Sequence, residues 1–136
     1  MGLVIPGGFE PFINDEGYIG HNGPYYVREM SGGVRRYGFA SDERHGNPNN
    51  VIHGAALIGF VDTLLGHVIV HETGKICATV TLTTEFISAA KIGSWVEATA
   101  RIKRVTNSLA FVSADVYFEE NILLTATCVF KLFKVT

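Results

Sequence analysis

His53-Gly54-Ala55-Ala56-Leu57-Ile58-Gly59-Phe60-Val61-Asp62-Thr63-Leu64-Leu65-Gly66-His67-Val68-Ile69 is the stretch on which the fold turns. Its members Leu57, Ile58, Val61, Leu64, Leu65, Val68 and Ile69 recur at spacings of three and four, the period of an α-helix. Polar residues are scarce along it, so protein is expected to surround the helix for much of its length. Gly74 is placed to end it. Asp62 is the only carboxylate between His53 and Val70. A buried acid is costly unless it is paired or working.

Just before the helix lies His45-Gly46-Asn47-Pro48-Asn49-Asn50-Val51-Ile52, part of a loop expected over residues 41–52. A loop that opens onto a helix exposes backbone N–H groups with no intrahelical partner, and the helix dipole adds positive potential there. Such a terminus can hold an anion or polarise a carbonyl oxygen. Together with Asp62, this points to acyl transfer or hydrolysis.

Further out, Tyr25–Met30 and Val34–Ala40 read as strands around a turn at Ser31-Gly32-Gly33. Residues 1–23 show no periodicity and form an irregular arm around Phe9, Phe12 and Tyr18, leaving residues 24–136 as the folded domain. Beyond Gly74 everything alternates. Ile76, Ala78, Val80, Leu82, Thr84 and Phe86 share one face, with Cys77, Thr79, Thr81, Thr83 and Glu85 on the other. Val96 to Ile102, Ala110 to Phe118 and Ile122 to Leu132 repeat the pattern, with short turns near Asn107 and Glu119-Glu120-Asn121. Short links imply an antiparallel meander. Alanines on the apolar faces leave room for the long helix. The expected class is α+β, one central helix wrapped by a curved antiparallel sheet.

Composition limits the function classes. The chain has 136 residues, 47% hydrophobic and 18% charged, which suits one globular domain with a real core. A net charge of −2 gives no reason to expect nucleic acid as partner. No apolar run reaches about eighteen residues uninterrupted, so no membrane association is expected. Met1-Gly2-Leu3-Val4-Ile5-Pro6 resembles neither a signal peptide nor, with Pro6, a myristoylation site. Cys77 and Cys128 read as reduced core thiols of a cytoplasmic protein. His21, His45, His67 and His71 lack a convincing ligand spacing, so no metal is expected.

Asn47-Pro48, then His53-Gly54, then Asp62 eight residues after that glycine, resembles the hotdog-fold acyl-CoA thioesterases, most closely the phenylacetate-catabolism branch. The order of strand, helix and four antiparallel strands is similar over roughly residues 25–133, as is the Phe86–Gly93 link. The family's second glycine is replaced by Ala55, which adds a methyl near the helix start. The resemblance implies an acyl-CoA thioester hydrolase with no cofactor beyond the coenzyme A of its substrate. It implies that the Gly54 N–H polarises the thioester carbonyl and that Asn47 bonds the substrate or the attacking water. Asp62 would be the nucleophile or the general base, Thr79 would orient the water or the acid, and His53 would shape the loop or lie near the thioester. Sheets joined edge to edge in a homodimer, or a tetramer of two dimers, are implied as well.

Geometry supports two subunits independently. Gly54 and Asp62 stand about 12 Å apart along a helix at ~1.5 Å per residue. One carbonyl cannot reach both groups of one chain. A symmetric dimer would carry two composite sites.

Plainer readings exist for each residue. Asp62 could cap a loop or pair with a cation, and a histidine before a helix is commonly a cap. Asn47 before Pro48 makes a good turn, and Thr79 is good strand composition. Arg101, Lys103 and Arg104 could meet the phosphates of coenzyme A or simply be a solvated strand end. Phe39, Phe60 and Phe86 are candidates for lining an acyl pocket. The competing functions are a non-catalytic acyl-CoA binding module and a hotdog dehydratase or hydratase.

Overall fold

A computed structural model describes residues 5–12 and 16–134. Its elements are β1 (Glu10–Pro11), α1 (Gly17–Asn22), β2 (Tyr25–Glu29), β3 (Arg35–Ala40), α2 (Gly54–Thr73), β4 (Ile76–Phe86), β5 (Trp95–Val105), β6 (Leu109–Phe118) and β7 (Asn121–Phe133). The strands form one antiparallel sheet in the order β1-β2-β3-β5-β6-β7-β4.

The helix begins and ends where the sequence signals it. His53 caps the start, and Gly74 takes the left-handed conformation at φ 70°, donating its N–H to the Val70 carbonyl. Phe60, Val61, Leu64, Leu65 and Ile69 of α2 are fully buried. Opposite them the strands present Val96, Ala98, Val112, Ala114, Ala126 and Cys128, all buried in the same core. Small side chains at these positions let the sheet close around the helix. Truncating Leu64 to alanine would cost on the order of 2–5 kcal/mol in a core packed this way.

Two expectations about the strands are corrected. The meander holds only for β5-β6-β7, because β4 crosses over to pair with β7 and becomes a long edge strand. The link over residues 87–94 is too long for a hairpin and carries the chain from β4 to β5, the far strand of that meander. The second correction is local. Thr79 pairs with Phe130 and Thr81 with Val129, so Val80 is an extra residue in β4. A one-residue bulge exchanges the two faces of a strand. Cys77 and Thr79 therefore turn toward the helix, and Ile76 and Val80 are 64% and 57% exposed. Beyond the bulge Leu82 again faces the core. In β7 a similar irregularity buries Leu123 and leaves Ile122 exposed.

The arm contains short regular pieces rather than none. β1 pairs with β2, and Gly59 of α2 lies so close beneath Tyr18 that a β-carbon there would meet its hydroxyl at 2.6 Å. By length and composition α2 could cross a membrane. In this fold it is the core helix, packed inside the sheet.

Candidate active site

The loop before α2 is a network of local bonds. The Asp42 side chain accepts from the Arg44 N–H at 2.9 Å, while the Asp42 N–H donates to His45 Nδ1 at 2.9 Å. With Nδ1 an acceptor, Nε2–H of the buried His45 donates to the Asn22 carbonyl at 2.6 Å, tying the arm to the loop. Asn47 Oδ1 accepts from the N–H groups of Asn49 at 2.9 Å and Val51 at 3.3 Å. That is an Asx turn, so the asparagine's plain reading holds whatever else its amide does.

At the helix start, His53 Nδ1 accepts from the Ala55 N–H at 2.9 Å, and the His53 carbonyl accepts from Ala56 at 2.9 Å. His53 is thus the N-cap, as its plainer reading has it. Among the described residues the Gly54 N–H meets no acceptor. Phe86 of β4 packs against Gly54 itself, since a β-carbon there would stand 2.9 Å from Phe86 Cε1. An unpaired N–H at a helix start is a ready hydrogen-bond donor for an oxyanion.

Two turns along, Thr79 Oγ1 donates to Asp62 Oδ1 at 2.6 Å. Both line a cleft of about 540 Å³ between α2, β4, β7 and the arm. Its other walls include Phe12, Ile19, His67 and Cys77. Burial and the Asp62 charge push the Cys77 thiol up, and the same two causes push Cys128 up to about 12, so neither is a thiolate nucleophile at neutral pH. Both cysteines are free.

The structure therefore sorts the sequence candidates into two groups. Asn47, His53 and Gly54 stand at the helix start with Phe86; Asp62 and Thr79 stand together in the cleft. Phe39 and Phe60 are buried against each other in the core, 4.7 Å between ring centroids, and do not line the cleft. Arg101 and Lys103 border a different hollow, with Glu85 and Asp115. Sequence reasoning missed Phe12, Ile19 and Cys77 as cleft residues and saw His67 only as a poor metal ligand. The cysteine was hidden by the bulge. The histidine carried a signal, since Thr63 and His67 continue the polar side of α2 at helical spacing from Gly59.

The family model of the thioesterase superfamily matches residues 49–125, from the loop before α2 into β7. The chain is 28% identical over 132 residues to the Pseudomonas aeruginosa protein named "Putative esterase PA0474", covering 96% of this chain and 98% of that one. Among solved structures it is similar to the conserved protein PA5202 of Pseudomonas aeruginosa, with TM-score 0.77 and 20% identity over 87% of this chain and 94% of that one. It is also similar to BH2602 of Bacillus halodurans, solved with CoA, with TM-score 0.73 and 19% identity over 81% and 74% of the two chains.

Proposed function

The chain belongs to the thioesterase superfamily, and from that premise we propose that it hydrolyses coenzyme A thioesters of short-chain or aryl acyl groups. Its helix wrapped by an antiparallel sheet is the hotdog fold. The observation that carries the proposal is the placement of Asp62 in an open cleft, with one carboxylate oxygen held by Thr79 and the other left for chemistry.

In the proposed reaction the thioester carbonyl accepts a hydrogen bond from the Gly54 N–H, with the helix dipole favouring the developing negative charge. Asp62 of the partner subunit either attacks the carbonyl carbon or removes a proton from an attacking water. Attack expels the coenzyme A thiolate and leaves a mixed anhydride, which water then hydrolyses to the free acid. The general-base route gives the same products in one addition and elimination. Asn47 orients the substrate or the water through its amide. Thr79 fixes the carboxylate, and His53 shapes the helix start.

A dimer is part of the proposal, and the contacts within one chain support it. Thr79 sits by Asp62 and Phe86 by Gly54, so β4 and α2 run past each other in opposite directions. The midpoints of these two pairs fall at Ile58 on the helix and between Leu82 and Thr83 on the strand. A twofold axis running between two subunits, level with both midpoints, would bring Gly54 of one subunit alongside Asp62 of the partner subunit. The β4 edge invites such pairing, because it is eleven residues long and exposes Ile76 and Val80.

Coenzyme A as the carrier is supported by its presence in the Bacillus halodurans structure. No other cofactor is needed by the chemistry. A cytoplasmic setting is proposed on the two unpaired thiols. Free-thiol release from a panel of acyl-CoA thioesters, measured with Asp62→Ala alongside, tests the reading. Turnover by the wild type that collapses in the variant is expected. Binding of acyl-CoA without turnover would instead make the protein a carrier or sensor.

A further inference from the structure

His67 lies in the wall of the Asp62 cleft, clasped by two aromatic rings. Phe12 of the arm stacks on it, with 4.5 Å between centroids and 22° between planes. On the other side Tyr37 Oη stands 2.8 Å from His67 Nδ1. Tyr37 is fully buried, and among the described residues its hydroxyl has no other partner. The hydroxyl proton must therefore go to Nδ1, because a buried O–H without an acceptor is costly. That fixes the histidine proton on Nε2. Among the described residues Nε2 meets no partner, and it is not among the sealed polar atoms.

The ring is also held neutral. Burial, followed by the nearby His71 and Arg35, lowers its pKa to about 4, against an upward pull from Glu29. Protonating the second nitrogen would in addition strip Tyr37 of its only acceptor. The cleft thus contains an uncharged N–H donor that does not switch across the physiological range.

We propose that His67 is a specificity-determining residue, with Tyr37 as its positioning residue, and that its Nε2–H receives an uncharged oxygen acceptor near the far end of the acyl group. His67 is five residues beyond Asp62 on α2, about 7.5 Å along the axis. The surfaces between and around them, Gly66, Ile19 and Val70, suit a short apolar spacer. A neutral imidazole offers no ion pair to an acyl carboxylate, and Asp62 on the same side would repel one. The class of acyl group is therefore a short chain or ring bearing a ketone, hydroxyl or ether oxygen. This deepens the hydrolase reading, on which it rests for the orientation of the acyl group.

The test compares hexanoyl-CoA with the same chain carrying a ketone next to its terminal methyl. The wild type is expected to favour the ketone about tenfold in kcat/KM, the worth of one neutral hydrogen bond. In the double variant Tyr37→Phe/His67→Phe, which keeps the packing and leaves no orphaned hydroxyl, that ratio falls to about one. A ratio near one in the wild type, or one that survives in the variant, overturns the proposal. Should neither thioester be hydrolysed, the hydrolase reading fails. The ratio is then read from Kd values of the two non-hydrolysable thioether analogues, and its presence or absence decides the proposal separately. For Tyr37 the readout is nitrogen NMR of His67: Tyr37→Phe should mix the tautomers and raise the titration midpoint from about 4. Unchanged nitrogen shifts would remove Tyr37 from the assignment.

Discussion

Thr79 donates a 2.6 Å hydrogen bond to Asp62 across the seam between β4 and α2, joining residues seventeen apart in the chain. The bond uses one carboxylate oxygen and fixes the direction of the other. Replacing Thr79 by valine keeps the shape and removes the donor. A fall in kcat of about tenfold, ~1.4 kcal/mol, is expected with little change in KM. Thr79→Ser should restore most of it. Equal kinetics for all three forms would leave the threonine as strand composition only.

Asp62→Asn retains an oxygen for Thr79 while removing the proposed nucleophile or base. Hydrolysis should drop at least ~100-fold in kcat/KM, about 2.7 kcal/mol. Thermal melting should hold near the wild-type value, since the side chain is only half-buried and keeps its partner. Full activity in this variant would sink the assignment of the acid.

The proposed composite sites can be tested by complementation. Gly54→Val drives a side chain into the Phe86 ring, whose edge lies 2.9 Å from the point a β-carbon would occupy, and should inactivate the enzyme. Mixed by co-refolding with Asp62→Ala, each dead parent supplies what the other lacks. Random pairing gives half heterodimers with one intact site in two, so roughly a quarter of wild-type activity should return. No recovery in mixed dimers would place both groups within one chain's site.

His67 gives the fold an acid dependence. Its folded pKa of about 4 lies below the ordinary 6.5, so between these values the unfolded chain binds a proton that the folded one refuses. Stability from this group is present above about pH 6.5 and is lost as pH falls toward 4. The loss is about 2 kcal/mol after allowing for the ring's partial exposure. Urea unfolding across this range should show the slope in the wild type and a flatter one in Tyr37→Phe/His67→Phe.

The helix, its caps and the place of Asp62 on it were legible in the sequence because they rest on local periodicity and on end signals at fixed spacing. Leu57 to Ile69 spell one helix in any environment, and His53 and Gly74 are end signals that need no partner. The position of β4 was not legible, because strand order is decided by pairing across the whole sheet and not by neighbours in sequence. Nor was the inward turn of Cys77 and Thr79, since alternation read from Ile76 to Phe86 assumes no interruption. The pairing of Tyr37 with His67 joins residues thirty positions apart and leaves no local trace. Phe39 and Phe60 illustrate the converse error: aromatic character alone does not separate a pocket wall from a core.

The extra residue at Val80 gives β4 a change of parity. Odd-numbered residues look toward the helix before it and even-numbered ones after it. Substitutions that the strand tolerates should follow that rule, with the tolerance pattern inverting between Thr79 and Thr81. Deleting Val80 would take out the extra residue and leave one uninterrupted ladder against β7. Thr79 and Cys77 would keep facing the helix and Ala78 would keep facing away from it, because the residue lost is the one that exchanges the faces.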